Sequence, residues 1–152
     1  MHIISEAIYL IALAIWLGSL VAISFIVAPA IFKYANSYKE AGSLVGRILQ
    51  RFRYLEISCA AILTILTLVN LNASQLYLFR FGLVCLMLFL LCIYGFYINP
   101  ILSKLRQEIA DPDNTNPSKQ LFNRLHKISV SLVLLNMLIG IILITLFLAT
   151  YL

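Results

Sequence analysis

Four long, predominantly apolar runs, at about 3–32, 54–73, 77–101 and 125–151, constrain this chain more than any other feature. A helix needs about 20 mainly apolar residues to cross the hydrocarbon core of a bilayer. Within lipid the backbone must satisfy its own polar groups, so runs of this length read as helices. Only 11% of the residues are charged and 62% are hydrophobic, whereas a soluble domain carries about 25% charged residues. There is too little polar surface to clothe a water-soluble globule. The expected fold is therefore all-α, a polytopic membrane four-helix bundle forming a single transmembrane domain over 1–152. No Lys or Arg precedes Lys33. A cleaved signal would begin basic and have a shorter apolar core, so the first run is expected to remain as a span.

Basic residues predict the orientation. Lys33, Lys39, Arg47, Arg51 and Arg53 lie between the first two runs, and Lys104, Arg106, Lys119, Arg124 and Lys127 lie between the last two or at their edges. Only Arg80 falls near the opposite face. Basic connections stay in the cytoplasm, which places both termini outside. The net charge of +5 does not suggest nucleic-acid binding, because the positive residues flank apolar runs instead of forming a basic face with interleaved aromatics. Cys59, Cys85 and Cys92 lie inside the runs, without a CxxC pair. They read as small apolar side chains and not as a disulfide framework.

Between the first two runs, Ala41, Leu44, Val45, Ile48, Leu49 and Phe52 recur at helical spacing, while Lys39, Glu40, Ser43, Arg47 and Arg51 fall on the other side. The stretch 38–53 thus reads as an amphipathic helix at the inner surface, drawn to anionic headgroups, or as a cytoplasmic extension of the second span. The stretch 111–117 reads as a cytoplasmic loop. Pro112 and Pro117 are expected to break helix at its two ends, and Ser118 to cap the fourth helix. Pro29 and Pro100 are expected to mark the cytoplasmic ends of spans one and three.

A shift of 71 residues aligns unlike residue types: Phe25 with Phe96, Pro29 with Pro100, Lys33 with Lys104, and Arg53, Ile57 and Ser58 with Arg124, Ile128 and Ser129. Matches among rarer residues weigh more than matches of Leu with Leu. They suggest two parallel-repeat helical hairpins, related by a pseudo-twofold axis along the membrane normal.

Polar residues form stripes on two helices. On the fourth, His126, Ser129, Val133, Asn136 and Gly140 share a face; on the second, Glu56, Ala60, Leu63, Thr67 and Asn70 do so. Lipid satisfies no polar group, so both stripes are expected to point inward, either as interhelical hydrogen bonds or as a polar path through Thr67, Asn70 and Asn136. Glu56 and His126 are expected in the first turns of their helices, at similar depth. With Ser129 they form a candidate polar site at the cytoplasmic mouth, able to handle a proton or a metal. Glu6 and Arg80 are the opposite charges at the external face and are expected to pair. Trp16 falls mid-span, where Ala14, Gly18 and Ala22 suggest close helix packing. His2 with the terminal amine is a weak copper-binding candidate. With no HExxH, Met cluster or CxxC, no catalytic residue or metal set is assigned, and no cofactor is expected.

Trp16-Leu17-Gly18, then Phe25, Pro29 and Phe32, then Ala41-Gly42 with Gly46, together with Phe122, Leu125-His126, Ser129 and Asn136, carry a resemblance over nearly the whole chain. The chain resembles a bacterial membrane family of unknown function related to the transmembrane protein 205 group. The resemblance implies a four-helix protein of the bacterial inner membrane with no established activity. It extends distantly to copper-resistance and haem-pathway membrane proteins that share a W-x-G motif, although this chain lacks their additional histidines. Three functional expectations follow. The first is a small solute- or ion-handling, transporter-like bundle, homo-oligomeric, with small-residue contacts at Gly18, Ala22, Gly42 and Gly46. The second is a non-catalytic accessory subunit bound to another membrane protein. The third is a haem- or copper-dependent membrane protein.

Overall fold

The computed structural model describes residues 2–69, 75–109 and 116–151. Apart from Ala35–Ser37, every described residue is helical. The elements run α1 (His2–Val21), a first π-helical segment (Ala22–Val27), α2 (Ala28–Tyr34), α3 (Tyr38–Val69), α4 (Gln75–Cys92), a second π-helical segment (Ile93–Ile98), α5 (Asn99–Ile109) and α6 (Asn116–Tyr151). They make four rods long and apolar enough to cross a membrane: Ile4–Tyr34, Glu40–Val69, Gln75–Leu105 and Ser118–Ala149. At 1.5 Å rise per residue, each is about 45 Å long, against a hydrocarbon core of about 30 Å.

The protein is an all-α four-helix bundle. The first rod packs against the second and fourth, and so does the third. Rods one and three thus sit diagonally across the bundle, as do two and four. Only 28% of each rod's most apolar window is buried within the bundle. Large apolar side chains such as Ile11, Phe25, Phe89, Phe96 and Ile141 point outward. That surface is compatible with a bilayer and not with water. The interior is tightly filled: Leu13, Trp16, Leu63, Val84, Met87 and Leu143 are each 0% exposed. Lipid offers little hydrophobic drive for helix association, so close packing holds such a core together.

Helix ends follow local chemistry that the apolar pattern did not reveal. Ser37 caps α3: the Glu40 N–H donates to Ser37 Oγ at 3.1 Å and the Ala41 N–H to the Ser37 carbonyl at 3.0 Å. Ser37-Tyr38-Lys39-Glu40 has the spacing of a capping box. The amphipathic stretch and the second span are consequently one unbroken helix. α6 begins at Asn116, so Ser118 lies inside its first turn and does not cap it. Pro117 occupies the second helical position, where a missing N–H costs nothing, and so does not break the helix.

Pro29 and Pro100 do not end their rods either; helix continues to Tyr34 and to Ile109. Each proline instead follows a six-residue π-helical segment. The Ala28 N–H donates to the Ile23 carbonyl, and the Asn99 N–H to the Tyr94 carbonyl, five residues back in each case. Within an α-helix, a proline ring collides with the carbonyl four residues earlier. The wider turn relieves that collision without breaking the rod.

The two π-helical segments coincide under the 71-residue shift, as do their hydrogen bonds. The buried faces of the two rods coincide too: Leu13 with Val84, Trp16 with Met87, Leu20 with Leu91. Even the shift's own partners meet across the bundle, since Tyr77 Oη donates to Glu6 Oε1 at 2.9 Å. Rods two and four behave differently. Ser58 is exposed whereas its counterpart Ser129 is buried. Their buried faces come into register under a shift of 80 instead, which aligns Glu56, Cys59, Ala60, Leu63 and Thr67 with Asn136, Ile139, Gly140, Leu143 and Phe147. The Arg53, Ile57 and Ser58 matches therefore do not mark equivalent places in the bundle.

Candidate functional site

Two polar regions lie along the bundle, separated by the fully buried apolar side chains. We refer to the end bearing Pro29 and Pro100 as the basic end, and to the end bearing Glu6 and Arg80 as the far end.

At the far end, Arg80 Nη1 lies 3.5 Å from Glu6 Oε2. Tyr77 completes the carboxylate's partners by its hydrogen bond, and Arg80 Nη2 donates to the Leu146 carbonyl at 3.1 Å. The guanidinium stands over the Tyr77 and Phe147 rings at 5.3 and 5.6 Å. Tyr9 stacks on Phe147 with ring centroids 6.4 Å apart. All four rods contribute, because Thr67 lines the same crevice. This is a clasp: two buried charges neutralise one another and reach further partners, which is the condition under which burial is tolerated.

In the basic half, a narrow cleft lies on the bundle axis, with about 490 Å³ of unfilled space that includes its open side. Each rod supplies three lining residues. Ile23 and Ser24 come from the first π-helical segment and Tyr94 from the second, so the wide turns border the cleft directly. Glu56 and Asn136 bring its polar chemistry. Both are buried, at 6% and 5% exposure. Asn136 Oδ1 has no hydrogen-bond partner. The Trp16 indole N–H is directed at the Glu56 carboxylate, but the two do not close a hydrogen bond of normal geometry. Arg53 lies on the same helix as Glu56, near enough for its charge to act on the carboxylate, and its guanidinium packs by Gly95. The 80-residue register places Asn136 opposite Glu56, so the two buried polar side chains are counterparts and only one of them is an acid.

The remaining sequence candidates distribute unevenly. His126 is exposed and stacks on Phe122 with ring centroids 6.0 Å apart, away from Glu56. Neither residue lies in a first turn: Glu56 is well inside α3 and His126 is well inside α6. Ser129 is buried, but its hydroxyl donates to the His126 carbonyl at 2.8 Å on its own helix. Thr67 likewise donates to the Leu63 carbonyl at 2.6 Å. These hydroxyls are satisfied locally, and the apolar side chains between Asn136 and Thr67 interrupt the expected path. Asn70 lies outside the described residues, and so does the side chain of His2. Gly18 is exposed with open space around it, whereas Gly140 is the true close contact: a Cβ there would strike the Leu17 isobutyl group. Among the described residues, no three His, Cys, Asp or Glu side chains gather into a metal-binding group.

Sequence reasoning missed Tyr9, Tyr77, Ser24 and Tyr94. For Tyr77 a signal existed, since the 71-residue shift already aligned it with Glu6.

Rods, buried polar groups and an apolar exterior together define an integral membrane protein with four helical spans. The family model described as a domain of unknown function, DUF4149, matches residues 11–111, two thirds of the chain, and the chain belongs to that family. The matched segment includes Trp16-Leu17-Gly18, Pro29, Glu56 and Arg80, and it ends before Phe122 and His126. No curated protein and no solved structure matches the chain.

Proposed function

We propose that the protein is a small solute- or ion-handling bundle, and that Glu56 with Asn136 forms its binding site in the cleft of the basic half. The observation that carries this reading is the provision of the acid. Glu56 is as buried as Glu6, yet among the described residues it makes no ion pair and no hydrogen bond of normal geometry. An acidic side chain inside a membrane bundle is expensive and by default signals a solute or ion path. The unpartnered Asn136 oxygen beside it is a second group with spare capacity. The basic end faces the cytoplasm, an orientation supported by exposed Lys33, Arg47, Arg51, Lys104, Arg124 and Lys127. Those residues also suit anionic headgroups of the inner leaflet. In this reading the membrane is a bacterial inner membrane, both termini lie outside, and the family is related to the transmembrane protein 205 group. The apolar outer faces pack a homo-oligomer.

The filled layer around Leu13, Trp16, Leu63 and Leu143 corresponds to a closed state, with the cleft reached from the basic end. The same layer favours a second reading, an accessory subunit whose spans only bind another membrane protein. Proteoliposomes separate the two. Wild-type protein should dissipate an imposed gradient of a small monovalent cation faster than empty liposomes do, followed with a potential-sensitive dye, and Glu56→Gln should abolish the difference. Flux equal to that of empty liposomes, with a membrane protein co-purifying, would establish the accessory role instead.

A further inference from the structure

The composition of the cleft narrows the class of solute, an inference that rests on the solute-handling reading and sharpens it. Eight of the twelve lining side chains are aliphatic or phenyl; the polar four are Ser24, Glu56, Tyr94 and Asn136. Among the described residues, no Lys or Arg lines the cleft, and Glu56 is its only acid. An anionic ligand would meet the carboxylate first, because Arg53, whose charge reaches Glu56, packs by Gly95 and does not line the cleft. A divalent metal ion takes six or more oxygen ligands, usually several of them carboxylates, and the cleft offers one carboxylate. A bare alkali ion would leave the apolar walls without a function.

We infer that the cleft binds a monovalent organic ammonium ion: a protonated amine carrying a short alkyl or aryl body. An ammonium head presents N–H donors and no acceptor. It matches the Glu56 carboxylate and the Asn136 oxygen, the acceptors with capacity to spare. Phe52 from the second rod and Tyr94 from the third add aromatic rings to the lining, and ring faces attract cations. The body of the ligand then lies along Leu20, Leu90, Leu91 and Leu132, displacing poorly held water from apolar surface. The pseudo-symmetric cleft binds a single head, because Asn136 stands where a second acid would otherwise be.

The test is equilibrium dialysis of labelled hexylammonium against the purified full chain in detergent, with protein-free micelles as the reference. The expected result is saturable binding of one hexylammonium per chain, displaced by unlabelled hexylammonium and not by hexanol, hexyl sulfate or potassium. Glu56→Gln, verified as folded by its elution and helical content, should weaken binding about tenfold or more, the scale of a lost charge-assisted hydrogen bond. Trp16 is the chain's single tryptophan, and its emission should change along the same binding curve, because its indole is directed at Glu56. Equal displacement by hexanol or hexyl sulfate would overturn the inference, as would unchanged affinity in Glu56→Gln. These comparisons in the wild-type protein hold whether or not the variant folds. If hexylammonium does not bind but Glu56-dependent cation flux persists in proteoliposomes, the ammonium inference falls and the solute-handling reading stands. If neither occurs, both fall.

Discussion

Glu6 and Glu56 are the same residue type, equally buried, on neighbouring rods of one bundle, and their surroundings could hardly differ more. Glu6 has an arginine, a tyrosine hydroxyl and an aromatic enclosure around its partner. Glu56 has an indole nitrogen at poor geometry, the charge of Arg53 acting from its own helix, and the unfilled space of the cleft. Burial alone therefore does not separate a structural acid from a functional one inside a membrane. What separates them is how far the surrounding protein completes the carboxylate's partners. Among the described residues, the far-end clasp pairs its carboxylate, although the Tyr9 hydroxyl beside it lacks a partner, and the cleft in the basic half leaves its carboxylate without an ion pair.

The largest break in this comparison comes from the clasp. Arg80→Ala strands the Glu6 carboxylate and should cost about 3–5 kcal/mol, the usual effect of removing one member of a buried pair. Reversible unfolding in mixed micelles would measure it. The double replacement Glu6→Leu with Arg80→Met should recover most of that loss, since apolar residues of similar volume often substitute for a whole ion pair. If the double variant is as unstable as Arg80→Ala, the clasp's tyrosine and carbonyl contacts matter more than its charges.

Next in size is the packing between the two regions. Gly140→Ala forces a methyl group into Leu17 and should cost about 1–3 kcal/mol by overpacking, read from the same unfolding transition. Gly18→Ala, facing open space, serves as its neutral control. Smaller still is the cleft. Glu56→Gln should change stability by less than about 1 kcal/mol, in either direction, because no ion pair is lost with the charge. A loss as large as that of Arg80→Ala would place Glu56 in a structural role and erase the contrast. The smallest effect belongs to His126→Ala, expected within about 0.5 kcal/mol as for other exposed positions, and without change in hexylammonium binding or cation flux.

The spans were legible because apolar length reports directly on the bilayer. The Glu6–Arg80 pair was legible too, because few charges stand at that end and each needs the other. The expected Glu56–His126 pair failed for a related reason. Hydropathy marks where lipid begins, not where a helix begins, and both helices start well before their apolar runs. Depth counted from the apolar edge therefore put both residues in a first turn, and rotation then carried His126 to the outside. The Ser37–Glu40 capping spacing and Pro117 held the missing boundaries. Pro29 and Pro100 drew notice as helix ends, yet the backbone has another way to accommodate a proline. Their π-helical segments place Ser24 and Tyr94 on the cleft wall, which α-helical periodicity does not foresee. The 71-residue shift was sound for rods one and three and misleading for two and four, where matching letters and matching faces part company.

Side-resolved thiol labelling examines the contrast between cleft and clasp most directly. Val133→Cys and Thr67→Cys would each be introduced into a chain with Cys59, Cys85 and Cys92 replaced by Ala, reconstituted in oriented proteoliposomes, and exposed to a membrane-impermeant maleimide from one side at a time. Val133→Cys should be labelled from the basic side alone, and addition of hexylammonium should slow the labelling, while Thr67→Cys, buried in the clasp, should react far more slowly from either side. Labelling of Thr67→Cys as fast as Val133→Cys, or no labelling of Val133→Cys at all, would contradict that contrast.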